Sequence, residues 1–404
     1  MTPKAAPTTA ANAALDVEAL RRDTPGVAAR AHLNNAGAAL PPTVVHDTVV
    51  GHLELERRIG GYEAEAAAEA ELSAFYAAVA GLIGGDPDEV AYVENATRAF
   101  DMAFYAVPLA PGDRILTAEA EYPSNVLAYL QRARRDGAVV EVVPSDAQGG
   151  LDPAALERMI DDRVKLIAVT HVPTHGGLVN PAEEIGAVAR RHGILYLLDA
   201  CQSVGQLPID VAAIGCDMLA ATGRKYLRGP RGTGFLWVRR ARLDALEPPF
   251  VDQHAATWTG PQSWALRGDA KRFENWESYV AGRLGLAAAV DYARAIGVER
   301  MWPRIRALAD HLRAGLAEVH GVVVRDRGPE LGGIVTFTKA DETAAALVAR
   351  LRRAGVNTSL ADGPAHFDRH RRRFGPVVRA SVHAYNTEDE LDRLVRTVAE
   401  GADG

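Results

Sequence analysis

Short apolar runs alternate with longer amphipathic ones through the middle of the chain. Residues 90–93, 114–117, 139–143, 165–170, 194–198, 217–221 and 234–238 are brief and rich in β-branched or aromatic side chains, which predicts strands. Residues 98–107, 124–136, 153–161 and 181–191 carry the longer pattern of helices. Strands that alternate with helices are joined by right-handed crossovers, so the pattern predicts an α/β fold on a mostly parallel seven-stranded sheet covered on both faces. Such sheets take ligands at the carboxyl ends of their strands.

Beyond about residue 255 the texture changes to helices over 274–296, 299–319 and 341–354, with strands near 321–325, 332–338 and 376–382. This predicts a smaller α+β unit. The expected organisation is a flexible arm over 1–25, where the chain is rich in Ala, Thr and Pro, a large domain over 26–255 and a small domain over 256–404. The two domains should meet over the ligand cleft.

Composition narrows the function. The 404 residues carry a net charge of −7, so no overall basic field draws the chain to nucleic acid or an anionic membrane. Its two cysteines, Cys201 and Cys216, cannot form a disulfide framework. No apolar run approaches the roughly 18–20 residues that cross a bilayer. A cytoplasmic enzyme with a small-molecule substrate is expected, and the sequons at Asn95 and Asn357 are chance matches.

Chemistry gathers where strands end. Asp199 closes the run YLLD, and Lys225 follows the next apolar run by a few residues. A carboxylate at a buried strand end calls for a cationic partner, and Lys225 could stand at the same rim. Arg224, Arg228 and Arg231 surround Lys225 with positive charge that favours the neutral amine, the form a Schiff-base lysine needs. Taken alone, Asp199 and Lys225 could also be a plain buried ion pair. The run Gly229-Pro-Arg-Gly-Thr-Gly precedes a strand instead of opening a helix, which makes it a turn and not a dinucleotide loop. HExxH, P-loop and GxSxG patterns are absent. His366 and His370 have metal-ligand spacing but run into Arg371-Arg-Arg373, so no metal site is expected.

Asp199-Ala-Cys-Gln202, followed 26 residues after Asp199 by Thr222-Gly-Arg-Lys225 and the Gly-Pro-Arg-Gly turn, resembles the cofactor site of fold-type I pyridoxal 5′-phosphate (PLP) enzymes. Among these it resembles class V aminotransferases, a group that includes cysteine desulfurases, hercynylcysteine sulfoxide lyases and isopenicillin N epimerase-like proteins. The likeness runs from about residue 32 to 395. It implies a PLP-transferase fold, with the large domain binding the cofactor, and a homodimer. It also implies that Lys225 holds the cofactor and moves the substrate α-proton, that Asp199 pairs with the pyridine nitrogen, and that Gln202 bonds the phenolic oxygen. Tyr122 would stack on the ring where desulfurases have histidine. Asn95, Ala96 and Thr97, at a helix start suited to a dianion, would hold the phosphate with Thr222, and Arg224 would replace a histidine there. Thr174 would replace an asparagine near the phenolic oxygen. Arg379 would clamp the substrate carboxylate, with Asn34 and Asn35 lining that side.

Two departures matter. Residues 356–367 occupy the region where desulfurases place the cysteine that accepts sulfur, and no cysteine is present there. Residues 272–279 lack the Gly-Thr-Pro pattern of desulfurases, and Glu277 should point away from the phosphate or pair with Arg272 or Arg283. The resemblance therefore implies a PLP-dependent lyase that cleaves a Cβ–S bond of a cysteine-derived amino acid without a protein persulfide; the alternative is an epimerase or aminotransferase.

Overall fold

The computed structural model describes residues 15–362, 367–368 and 370–400. A seven-stranded sheet forms its centre, built from β1 (Val90–Val93), β2 (Arg114–Thr117), β3 (Val139–Val142), β4 (Val164–Thr170), β5 (Leu195–Asp199), β6 (Met218–Thr222) and β7 (Gly234–Val238). The spatial order is β1-β7-β6-β5-β4-β2-β3. Neighbours from β6 to β3 run parallel. β7 is antiparallel to both β6 and β1, which makes the sheet mixed. No helix lies between Thr222 and Gly234 to carry a crossover, so the chain turns back as a hairpin.

The alternation along each strand explains the two-sided cover. Ile167, Leu198, Leu219 and Phe235 join one apolar cluster, whereas their neighbours Leu166, Leu197, Ala220 and Leu236 join another on the opposite face. Near-continuous apolar strands are what a sheet buried on both faces requires.

A second sheet contains β8 (Val322–Val324), β9 (Ile334–Lys339), β10 (Ser359–Ala361) and β11 (Val377–Ser381), in the order β8-β9-β11-β10 and antiparallel throughout. Ala31–His32 pairs in parallel with Val356–Asn357, which ties the start of the chain to this second unit.

Two expectations are corrected. Residues 17–25 do not belong to an arm: Val17–Arg22 is a helix capped by Asp16, Leu20 is buried, and Arg21 bonds Glu390 at 2.8 Å. An apolar anchor and an ion pair offset the entropy of ordering a segment that composition alone marks as loose. The rest of the expected arm, 1–14, lies outside the described residues, as does His366. The helix expected over 274–296 begins only at Val280 and ends at Ile296. Glu274 is extended because its buried carboxylate accepts from the Tyr92 N–H at 2.7 Å and the Tyr76 hydroxyl at 2.9 Å, which fixes this segment against the edge of β1.

Helices over Thr43–Ile59, Gly61–Ala67 and Glu69–Ile83 precede β1, and a hairpin pairs Ala256–Gly260 with Ser263–Leu266. Among the described residues no single helix is long and apolar enough to cross a membrane.

Candidate active site

β4, β5 and β6 are adjacent and parallel, so Thr170 and Asp199 stand side by side at their carboxyl ends, with Thr222 at the end of β6 two residues beyond Ala220, the partner of Asp199. These ends open onto a cavity of about 380 Å³. The residues expected around the cofactor all line it: Asn95, Ala96 and Thr97 after β1, Tyr122 after β2, Thr174 after β4, Asp199 and Gln202 at the end of β5, and Thr222, Arg224 and Lys225 at the end of β6.

Asp199 is buried, and its carboxylate accepts the Cys201 N–H and the Asn125 side-chain amide, each at 2.9 Å. The alternative of a direct Asp199–Lys225 ion pair is not what the structure shows: no salt bridge joins them, and Lys225 acts on Asp199 through its field. Burial pushes Asp199 above the usual carboxylate range, while Asn125, the Cys201 N–H and Lys225 pull it back.

Lys225 is also buried, and its ammonium is held below the usual lysine range. Burial is the leading cause; Arg224 adds to it, and Cys201 and Asp199 oppose it. The expected cluster of three arginines is corrected. Arg228 turns away, donating to the Leu40 carbonyl at 2.8 Å and lying over the Tyr385 ring at 4.8 Å, whereas Arg231 is exposed but lines a second cavity with Arg224 and Lys225. Arg228 has φ 62, and its N–H closes a turn onto the Lys225 carbonyl at 2.8 Å. A left-handed non-glycine residue persists only where its surroundings hold it, and the Leu40 and Tyr385 contacts do so.

The Asn95 turn approaches the sheet closely because β7 starts with glycine. A Cβ on Gly234 would fall 2.6 Å from the Ala221 carbonyl oxygen and 3.0 Å from the Asn95 carbonyl carbon. The Asn95 side chain accepts the Arg98 N–H at 2.9 Å and caps α1 (Ala96–Ala106). The first N–H groups of a helix have no partner within it, which suits this end to an anion.

Tyr122 precedes α2 (Pro123–Asp136), with its ring centroid 6.0 Å from Lys225 Nζ. The Thr174 hydroxyl accepts from Gln202 Nε2 at 3.3 Å and from the Arg379 guanidinium. Gln202 Oε1 is buried without a partner. Arg379, on β11, lines a neighbouring cavity of about 570 Å³ shared with Tyr122, Thr174, Arg224 and Lys225. It donates to Ser359 Oγ at 3.0 Å, and burial lowers it to about 10.

Asn35 is not at the cavity. Its amide is spent on the Ser381 carbonyl at 2.7 Å and on the Tyr385 hydroxyl, and the neighbouring Asn34 lines the cavity instead. Glu277 is exposed and faces a different cavity; Arg272 and Arg283 give their guanidinium bonds to backbone carbonyls of Leu243 and Leu72.

The sequence reading missed Glu121, Asn125 and Thr170. Glu121 is buried behind Asp199 and accepts the Thr170 N–H at 2.6 Å and the Thr170 hydroxyl at 3.0 Å. The signal was the spacing in Glu121-Tyr-Pro-Ser-Asn125, which sets Asn125 on the first turn of α2 and Glu121 just before it. Burial first and the Asp199 charge second raise Glu121 from 4.5 to about 8. Its contribution to stability is present in full below about 4.5 and is lost as pH climbs to about 8. Cofactor-free Glu121→Gln should therefore gain in melting temperature relative to the parent between pH 5 and pH 8. A difference that stays flat over this range would show that Glu121 does not titrate there.

The family model for aminotransferase class-V matches residues 31–394. The chain belongs to the aminotransferase class-V family. Class V aminotransferases depend on PLP. A probable cysteine desulfurase of Methanothermobacter thermautotrophicus is 30% identical over 399 residues, covering 95% of this chain and 97% of that one. A probable cysteine desulfurase of Xylella fastidiosa is 32% identical over 396 residues, covering 94% of each. Among solved structures, the apo cysteine desulfurase of Thermococcus onnurineus superposes with a TM-score of 0.88 at 26% identity, covering 96% of this chain and 98% of that one. A complex of the cystine C–S lyase C-DES with cysteine persulfide has a TM-score of 0.84 at 24% identity, covering 93% of this class V chain and 99% of its own, which supports the fold.

Proposed function

We propose that this class V enzyme is a PLP-dependent lyase that breaks the Cβ–S bond of a cysteine-derived amino acid without loading sulfur onto a protein thiol. One observation carries the reading: Lys225, Asp199 and the α1 terminus share a cavity that continues to Arg379, and neither cysteine lines the Arg379 side. Cys201 lines the inner cavity beside Asp199. Cys216 is fully buried, and burial pushes its thiol up to about 12.

The residues present fit PLP. The unpartnered Gln202 Oε1 awaits a donor, the α1 terminus with Thr97 and Thr222 suits a phosphate, and Asp199 is a buried carboxylate that a protonated ring nitrogen would neutralise. When bound, PLP supplies an electron sink for the charge left at Cα. Tyr122 would flank the ring, with Arg224 near the phosphate and Thr174 near the phenolic oxygen.

Arg379 would receive the substrate carboxylate through its guanidinium and so orient Cα toward Lys225. Burial favours the neutral form of the Lys225 amine, and Nζ would take the α-proton. The sulfur then leaves with the electrons of the Cβ–S bond, and the three-carbon fragment hydrolyses to pyruvate and ammonia. Incubating the holoenzyme with S-substituted cysteines should yield pyruvate and free thiol in equal amounts. Formation of D-isomer, or of pyridoxamine phosphate with no pyruvate, would replace this reading with epimerase or aminotransferase chemistry.

A cytoplasmic homodimer is part of the proposal. Phe250, Trp258, Trp264 and Trp276 stand exposed on and around the hairpin, more aromatic surface than solvent favours. Sedimentation should give twice the chain mass, and a monomer at working concentration would remove this part.

A further inference from the structure

We propose that the cleft contains a second anion subsite, built by Arg371 and His175, which takes an acidic group on the sulfur substituent of the substrate. This deepens the lyase reading above and rests on it for the identity of the scissile bond. Arg371 is 4% exposed, yet its Nη1 has no hydrogen-bond partner. Its other terminal nitrogen donates to the Ala361 carbonyl, and its backbone N–H donates to Asp368 Oδ1 at 2.9 Å. Among the described residues no carboxylate forms a salt bridge with its guanidinium. A buried cation with an unused N–H is costly unless a ligand completes it.

His175 connects this group to the substrate cleft. It lines both the cavity that holds Arg379 and the smaller one that holds Arg371. Both of its ring nitrogens are buried and unpartnered. Burial first, then Arg371 and Arg379, lowers it to about 3, so it is neutral and can offer one N–H to an anion.

Spacing sets the ligand class. Arg379 is fixed to Ser359 and Arg371 to Ala361, alternate residues of β10. Two residues of strand advance about 6–7 Å. A cysteine whose sulfur bears a short carboxyalkyl chain separates its two carboxylates by a comparable length. Arg325 and Arg327 border the same small cavity and, with Arg371, outnumber its two carboxylates, Glu119 and Asp368.

The test uses two thioethers that lack an amino group and cannot be turned over: thiodipropionate, with two carboxylates, and (butylthio)propionate, with one. Calorimetric titration of the holoenzyme should show the dicarboxylate binding about ten-fold or more tightly, the effect of a hydrogen bond to a charged group. Arg371→Met should abolish that preference and Arg371→Lys should retain part of it, a rescue that misfolding would not give. Equal affinities in the parent protein, or a preference that survives Arg371→Met, would overturn the subsite. Because no turnover is read, a retained preference in a protein that releases no pyruvate sinks the lyase reading and leaves this one standing.

Discussion

Lys225→Ala is expected to reduce turnover by about a thousand-fold or more, since it removes both the amine that takes the proton and the group that anchors the cofactor. The variant should also lose the visible absorbance of the lysine-bound cofactor and release PLP on dialysis. Its fold should survive: Lys225 Nζ makes no salt bridge among the described residues, and the turn that carries it is closed by the backbone bond from Arg228. Measuring kcat, the visible spectrum and the melting temperature together separates the two kinds of loss. A variant that stayed yellow and active would remove Lys225 from the account.

Asp199→Asn is the second large effect. The amide has the same shape and can still accept the Cys201 N–H, and its new NH2 is met by the Asn125 oxygen once that amide turns over, so the cavity should keep its form. The negative charge is lost, and with it the stabilisation of positive charge on the ring nitrogen. Loss of one preorganised electrostatic partner costs about a hundred- to a thousand-fold in kcat. The same change should move Glu121 back toward the ordinary carboxylate range, because the Asp199 charge is the second cause of its elevation. The window over which Glu121→Gln is stabilising should then shift to lower pH in the Asp199→Asn background. Unchanged kcat in Asp199→Asn would show that this carboxylate does not serve the reaction.

The legible part of this protein is the part where burial and period coincide. Strands β4 to β7 are apolar on both faces, and their sequence positions differ from the predicted ones by no more than a residue or so. Their ends carry polar residues that have no reason to be in a core, which is why Asp199, Thr222 and Lys225 stood out. The reversal of β7 was legible in the missing helix between 222 and 234, and it leaves the sheet mostly parallel, as the alternation of the remaining elements predicts. Glu121 and Asn125 were hidden because they act from behind, bonded to Thr170 and Asp199, with no motif of their own. Asn34 and Asn35 show the limit of position matching: the resemblance marks both, but adjacent residues of one type face opposite ways, and Asn35 is saturated by Ser381 and Tyr385 while Asn34 lines the cavity. Residues 274–279 read as helix because apolar spacing continues through them, but a buried Glu274 overrides local preference by capping a strand edge.

The claim that sulfur leaves without passing through a protein thiol is tested most directly by intact-mass measurement during turnover without reductant. Holoenzyme supplied with an S-substituted cysteine should keep its mass while pyruvate and free thiol accumulate in equal amounts. A protein that gains the mass of a sulfur atom when given cysteine, with alanine as the co-product in place of pyruvate, would contradict the account.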